Sequence, residues 1–469
     1  MNNNNQFHMD FLLIKPIQTL LRKPFFPLVF QIISLLFLMF FIWNGWGIGL
    51  AQSKQQTMTL RKTNLTTLFV WGLWWPGMIA TALLAGRLWC TVCPMEFISR
   101  WGWAAGRLLG YNRVAITPWL RAGWLVVFAY LTLQFLVAGL SIHRVPHFTA
   151  LMLIVLLALA LLSGLLFREE RAFCKTLCPA KALLSVYGRF TPIQIDVRDQ
   201  AVCDACSTKD CRDPRKRERF DARACPSLAR PDARKKGDEC VLCLQCAKTC
   251  PHNNIGWGAA IHESASRRHL ILRPYEAVFV MFAAGFVAHE VIGEMKPMDE
   301  YFHIAPQALN ALIPSIGFGW FEALWFLFLV PALLWLAAAG LAYLLGHRGS
   351  WRDLLLAAAT GAAPIIAVAH LAKALAKISS WGGFLPGALN DPAGIITLQR
   401  LENKILAAPI PLVDLSLLGW LMTAALLAIA WRNRLWLSQA VGDQLPAARA
   451  GFAVFTVFYS TILLSWPWF

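Results

Sequence analysis

The chain alternates between long apolar runs and polar connections. About 20 predominantly apolar residues suffice for a helix to cross a bilayer. Nine stretches meet that requirement, at roughly 26–50, 66–86, 119–141, 148–167, 275–294, 318–346, 353–376, 408–431 and 450–468. One long polar interval, 168–274, separates the fourth from the fifth. The pattern predicts an all-α polytopic membrane protein of about nine transmembrane helices with a hydrophilic segment inserted. A composition that is 57% hydrophobic with 21 tryptophans agrees with this class. The first run, "FFPLVFQIISLLFLMFFIWNGWGIGL", follows Lys15, Arg22 and Lys23. It exceeds the apolar core of a signal peptide and is expected to be an uncleaved anchor.

The net charge of +17 changes the picture only through its placement. Lys and Arg concentrate in the cytoplasmic loops of membrane proteins. With the N-terminus inside, the inner loops hold Arg87, Arg100, Arg107, Arg113, the whole of 168–274, then His347, Arg348, Arg352, Arg432 and Arg434. The outer loops hold Lys54, Arg61, Lys62, Arg144, the mildly acidic "MKPMDEYF" and the surroundings of Asp391. The charge is therefore topological: basic loops beside helices face a lipid surface, and nucleic acid is not an expected partner. The orientation places the protein in a bacterial inner membrane, with the N-terminus and the long polar segment cytoplasmic.

All twelve cysteines fall at or before residue 250, and all lie on that expected cytoplasmic side, where thiols stay reduced. "CVLCLQCAKTCP", Cys240 to Pro251, spaces four cysteines by two, two and three residues and ends in proline. In that pattern the fourth cysteine serves a second cluster. A stretched copy lies upstream, with Cys203, Cys206 and Cys211 in "CDACSTKDC" and Cys225 before Pro226. The crossover rule gives Cys203, Cys206, Cys211 and Cys250 to one [4Fe–4S] cluster. It gives Cys240, Cys243, Cys246 and Cys225 to the other. Paired zinc ribbons are the competing use of such cysteines, but the four-cysteine run ending in proline is the more specific signal. Between the two sets, "RDPRKRERFDARA" (212–224) reads as a solvated loop or as a docking patch for an acidic electron carrier.

The membrane half contains a repeat. "GRLWCTVCPMEFISRWG", from Gly86, and "ERAFCKTLCPAKALLSVYG", from Glu170, each follow a two-helix hairpin. Each runs arginine, apolar, aromatic, cysteine, a short gap, Cys-Pro, an amphipathic turn and glycine. The prolines suit the first position of a following helix. The cysteines Cys90, Cys93, Cys174 and Cys178 have three open roles: metal or cluster ligands, a redox dithiol, or structural helix starts.

These motifs, in this order, resemble the polyferredoxin membrane proteins of the NapH/NosR type. That family includes the membrane subunit that oxidises quinol for periplasmic nitrate reductase and the nitrous oxide reduction regulator. The resemblance spans roughly residues 26–255 and implies four helices, Cys-Pro motifs at the cytoplasmic edge, two cytoplasmic [4Fe–4S] clusters and electron transfer linked to quinone. The family motif is C-x3-C-P. Cys174 to Pro179 keeps it, while Cys90 to Pro94 is one residue short.

Three segments are expected: 1–190, a membrane domain of two duplicated hairpins each ending in a Cys-Pro motif; 191–272, a cytoplasmic two-cluster ferredoxin-like segment; and 273–469, a membrane domain of about five helices. Ionisable residues at membrane depth are functional candidates. His289 with Glu290 and Glu294, and His370 with Lys373 and Lys377, read as quinone-site groups, as ligands of a b-type haem, or as helix-packing residues. His143 and His147 are weaker interfacial candidates. The function expected is a membrane-bound iron–sulfur protein carrying electrons between the quinone pool and other redox subunits or a carrier protein. It would be a quinol dehydrogenase subunit without its own terminal catalytic site. The alternative is an assembly or regulatory factor, a metal reductase or redox sensor, for maturation of a respiratory metalloenzyme.

Overall fold

The computed structural model describes residues 7–49, 53–110, 113–216, 222–226, 240–260 and 271–468. Part of the charged stretch 212–224, namely 217–221, lies outside the described residues. Eight helices among the described residues are long and apolar enough to cross a membrane: Leu28–Gly45, Leu65–Ala85, Pro146–Leu166, Pro274–Ile292, Phe318–Leu344, Trp351–Gly382, Leu415–Arg434 and Gly442–Trp468. The protein is a mostly helical, multi-pass membrane protein.

The third expected span, 119–141, forms a shorter apolar helix, Trp124–Gly139, preceded by a single turn, Pro118–Arg121. The interruption falls at Gly123, whose φ of +91° favours glycine. A Cβ there would come within 2.7 Å of the Tyr275 ring, so this crossing also needs the missing side chain. The seventh span is longer than its apolar run suggests. Trp351–Gly382 covers 32 residues with Pro364 inside, because neighbouring helices bury most of it.

The chain forms two compact units. One comprises 1–38, 81–121 and 157–270, and the other 39–80, 122–156 and 271–469. In the first, the repeat seen in the sequence recurs element by element. Trp89–Val92 carries Cys90, Cys93 caps the next helix, and Pro94 opens Pro94–Leu108. In the second pass Ala172–Thr176 carries Cys174, and Pro179 caps Ala180–Tyr187. The extra residue between the second pair of cysteines is Leu177, which follows the short helix as its C-cap.

The first unit also holds a small antiparallel sheet that the hydropathy pattern did not anticipate. Strands β1 (Phe7–Asp10), β2 (Ile193–Val197) and β3 (Ile255–Ala260) lie in the order β1-β3-β2. Ile195 and Val197 of β2 and Ile255 of β3 join Leu12, Leu21 and Phe26 in a buried core that includes Cys203, Cys211 and Cys246. Asp10 ties the N-terminal strand down. Its carboxylate accepts from the backbone N–H of Leu12 at 2.9 Å and of Trp257 at 3.2 Å, and from Arg198 Nε at 2.8 Å.

The second unit is a bundle built around Trp351–Gly382, whose alanine-rich stretch lets neighbouring backbones approach closely. Gly361 faces the Ala448 carbonyl and Gly451 faces the Ala358 carbonyl. A Cβ at either would lie within 2.2 Å of that oxygen. Polar side chains fasten the helices through main-chain carbonyls. Tyr459 Oη donates to Ala284 O at 2.7 Å and Trp335 Nε1 to Met281 O at 3.0 Å.

Candidate functional site

All twelve cysteines lie in the first unit, and they fall into three sets. Cys203, Cys206, Cys211 and Cys250 line one small pocket together with Lys209, His252 and Asn254. Cys203 lies within the short helix Gln200–Ala205 and Cys206 caps it, Cys211 lies in a single 3₁₀ turn, and Cys250 caps Gln245–Thr249. The antiparallel β2–β3 pair brings the start and the end of this segment together. Asn254 completes that closure. Its side-chain N–H donates to Cys203 Sγ at 3.4 Å and to Asp199 O at 2.6 Å, while its backbone N–H donates to Cys250 Sγ at 3.4 Å. The Lys209 N–H holds the exposed Cys206 thiol below its ordinary value.

The second set is Cys225, Cys240, Cys243 and Cys246. Burial pushes the Cys246 thiol up, and the charges of Cys225, Cys240 and Cys243 push it further, so the four groups face one another. Cys243 is raised to about 12 by burial first and by Cys225 next. Left-handed Leu242 and Leu244, with φ of 56° and 57°, turn the chain tightly enough to bring its cysteines round. The Cys225 N–H donates to Cys211 O at 2.8 Å, which links this set to the first.

The two Cys-Pro motifs supply the third set. Burial raises Cys178 to about 12, followed by repulsion from Cys174 and Cys90. Cys93 is raised by burial and then by Cys174, Cys90 and Cys178. The duplicated pairs thus converge. Burial and the neighbouring thiols together oppose ionisation of Cys93 and Cys178.

A buried charge lattice connects the second and third sets. Burial alone would lower the Arg171 guanidinium, but Cys174, Glu96, Cys90 and Cys243 around it raise it. Glu96, on Pro94–Leu108, is 3% exposed. Burial opposes its ionisation, yet Arg100, Arg171 and Arg223 hold its carboxyl below the ordinary value. Gln31 Nε2 donates to Glu96 Oε2 at 2.6 Å, and Arg223 Nη1 donates to Glu170 Oε1 at 2.7 Å. Thr91 Oγ1 donates to Val241 O at 2.5 Å, fastening the Cys90 turn to the Cys240 loop. Beside this lattice lies a cavity of about 400 Å³, walled by Phe26, Trp101 and Trp103 and by Arg100, Arg107, Glu170, Arg223 and Gln245.

The sequence reading missed Asn254, Glu96 and Arg223. Arg171 was visible as the arginine of the repeat, though not as the group between two cysteine sets. The two membrane-depth histidines singled out in the sequence, His289 and His370, face different carboxylates. His370 Nε2 lies 3.7 Å from Glu290 Oε2, with Phe286 against its ring. His289 stacks on Phe326 at 4.6 Å and points Nε2 at Glu322, 3.9 Å away. Lys373 Nζ donates to Glu294 Oε1 at 2.6 Å. His143 accepts from Arg144 Nε at 2.9 Å, and His147 accepts from the Gly47 N–H at 3.2 Å.

No family model matches the chain, and no solved structure matches it. An uncharacterized protein of Methanocaldococcus jannaschii is 26% identical over 184 residues, covering 39% of this chain and 68% of its own length.

Proposed function

We propose that this chain is a membrane-bound iron–sulfur electron-transfer protein that links the quinone pool to a redox partner. The observation that carries the reading is the gathering of twelve cysteines into three adjoining four-thiol sets. In this reading Cys203, Cys206, Cys211 and Cys250 hold one [4Fe–4S] cluster, and Cys225, Cys240, Cys243 and Cys246 hold the other. Thiolates are the soft, charged donors that such clusters need. The fit is supported by the Asn254 N–H groups aimed at Cys203 and Cys250, since hydrogen bonds to sulfur are a principal control of cluster potential. When bound, the clusters supply one-electron acceptance and donation. Cys90, Cys93, Cys174 and Cys178 form a third metal or cluster site between the hairpins.

Quinone enters through the cavity beside Glu96. Its size falls in the range of ligand sites, about 300–1,000 Å³. Its aromatic walls suit a quinone ring, and Arg100, Arg107 and Gln245 offer donors to the ring oxygens. Quinol oxidation also releases protons, and Glu170 in the cavity wall is a carboxylate able to receive one. The thiol-bearing unit is assigned to the cytoplasmic side of a bacterial inner membrane, because the basic loops gather there.

Metal analysis of purified protein tests the reading. About eight iron and eight acid-labile sulfide per chain are expected from the two ferredoxin-type sites, with more if the Cys-Pro set also holds a cluster. Zinc without sulfide would end the proposal. Reduction of the clusters by a quinol analogue, lost on replacing Arg100 or Trp103, is the functional arm.

A further inference from the structure

We infer that the second unit carries a separate site for a divalent transition-metal ion, formed by His289, His303 and Glu322. The inference does not rest on the electron-transfer reading, because none of these residues belongs to the cysteine-bearing unit.

Three elements deliver the ligands. His289 lies in the last turn of Pro274–Ile292. His303 stands at the junction of Lys296–Phe302 and Ile304–Leu312. Glu322 lies in Phe318–Leu324, one turn before a π-helical stretch, Trp325–Leu329, of the kind often found at functional sites. One ligand atom from each residue lies within 4.8 Å of the others. Glu322 Oε1 is 3.2 Å from His303 Nε2 and 3.9 Å from His289 Nε2. Metal–ligand bonds of about 2.0–2.2 Å place neighbouring donors roughly 3–3.5 Å apart. The group therefore closes on an ion with side-chain shifts on the order of an ångström.

The surroundings point to an ion rather than to a packed polar cluster. His303 is 6% exposed and its Nδ1 lies 2.7 Å from Asp299 O and 3.2 Å from Asp299 Oδ1. A metal-binding histidine is normally held in this way, with the second ring nitrogen donating to a carbonyl or carboxylate and the first left as a lone pair. That Nε2 is buried without a geometric hydrogen-bond partner, and the Glu322 carboxylate lies 3.2 Å away as an ion-pair contact. The His289 ring is fixed by stacking on Phe326, with an interplanar angle of 8°.

Two imidazoles and one carboxylate select the metal class. The set suits Zn²⁺, Fe²⁺ and neighbouring divalent ions; it is too nitrogen-rich for Mg²⁺ or Ca²⁺ and lacks the thiolates that favour Cu⁺. Three protein ligands leave a coordination position open, as in catalytic rather than structural sites.

Co²⁺ is the probe, used on the full chain in detergent with its acid-labile sulfide quantified before and after loading. One Co²⁺ per chain should bind, with the visible bands of nitrogen and oxygen ligation and without thiolate charge-transfer bands. His303→Gln and Glu322→Gln should each abolish that equivalent while sulfide content stays at the parent level. Asp299→Asn, which alters only the outer partner, should weaken binding about 10–100-fold. Glu322→Asp, which keeps a carboxylate, should retain it. Absence of Co²⁺ binding in the parent, binding unchanged in both ligand variants, or binding only with thiolate bands would each overturn the site. In that case the three residues serve as a buried ion-pair network. A protein without sulfide that still binds Co²⁺ through these residues would sink the electron-transfer reading and leave this one standing.

Discussion

The two units solve the problem of holding charge in an apolar protein in opposite ways. In the cysteine-bearing unit the candidate ligands are packed into short motifs, so that two or three thiols arrive from a short stretch of chain. In the bundle, the three candidate ligands come from separate elements, one from each. The first arrangement needs little tertiary precision, since local backbone geometry already sets most sulfur positions. The second exists only once the helices have packed. The first should therefore fail site by site, and the second should fail whenever one helix shifts.

Four perturbations test that contrast, beginning with the largest effect. Cys250→Ser should remove the cluster held with Cys203, Cys206 and Cys211, with loss of up to half the labile sulfide of the two ferredoxin-type sites. By EPR the lost signal should differ from the one lost on Cys240→Ser. Identical losses would show that the crossover pairing is incorrect. Next, Cys93→Ser and Cys178→Ser should each deplete the third site to the same extent and leave both ferredoxin-type signals in place. A loss confined to one of the variants would argue against a shared site.

Glu96→Gln should destabilise the first unit by about 3–5 kcal/mol, because the buried Arg171 and Arg223 and the half-buried Arg100 lose a shared carboxylate. The pH dependence follows from the same carboxyl. Its folded-state value lies below its ordinary one, so its contribution is complete above the ordinary carboxylate range. It is lost as pH falls through the lower folded-state value. Acid unfolding of the parent should show this loss, and the Gln variant should lack this one component of the pH dependence. The smallest effect is expected of Asn254→Ala. Removing one N–H donor from Cys203 should make that cluster harder to reduce by roughly 40 mV, taking a hydrogen bond as ~1 kcal/mol, with iron content unchanged. An unchanged potential would mean that the donor does not reach the sulfur in the loaded protein.

Legibility in the sequence followed the range of the interactions. The spans were readable because crossing a bilayer is a property of one contiguous stretch, and the eight long helices lie within the expected runs apart from shifted ends. The third was misjudged in length, since the break at Gly123 depends on a ring from another helix rather than on hydropathy. The Cys-Pro repeat was readable because duplication preserves local order. The sheet was not: β1 is four residues whose pairing with β3 spans most of the unit's chain length. His289 and His370 stood out as ionisable groups in apolar runs. Their partners Glu322 and Glu290 could not be assigned, because nothing in spacing says which helix faces which.

By itself, then, the chain determined where most of its membrane-crossing stretches lie, where its positive loops fall and which cysteines form local triplets, all of which are set within a turn or a single helix. Tertiary structure alone decided that both Cys-Pro pairs face one another, that Arg171 stands between them and Cys243, and that His303 meets Glu322. Those choices depend on desolvation, which exists only after packing. A buried charge or thiol is tolerable only beside its compensating neighbour, and the fold selects that neighbour from residues far away in the chain.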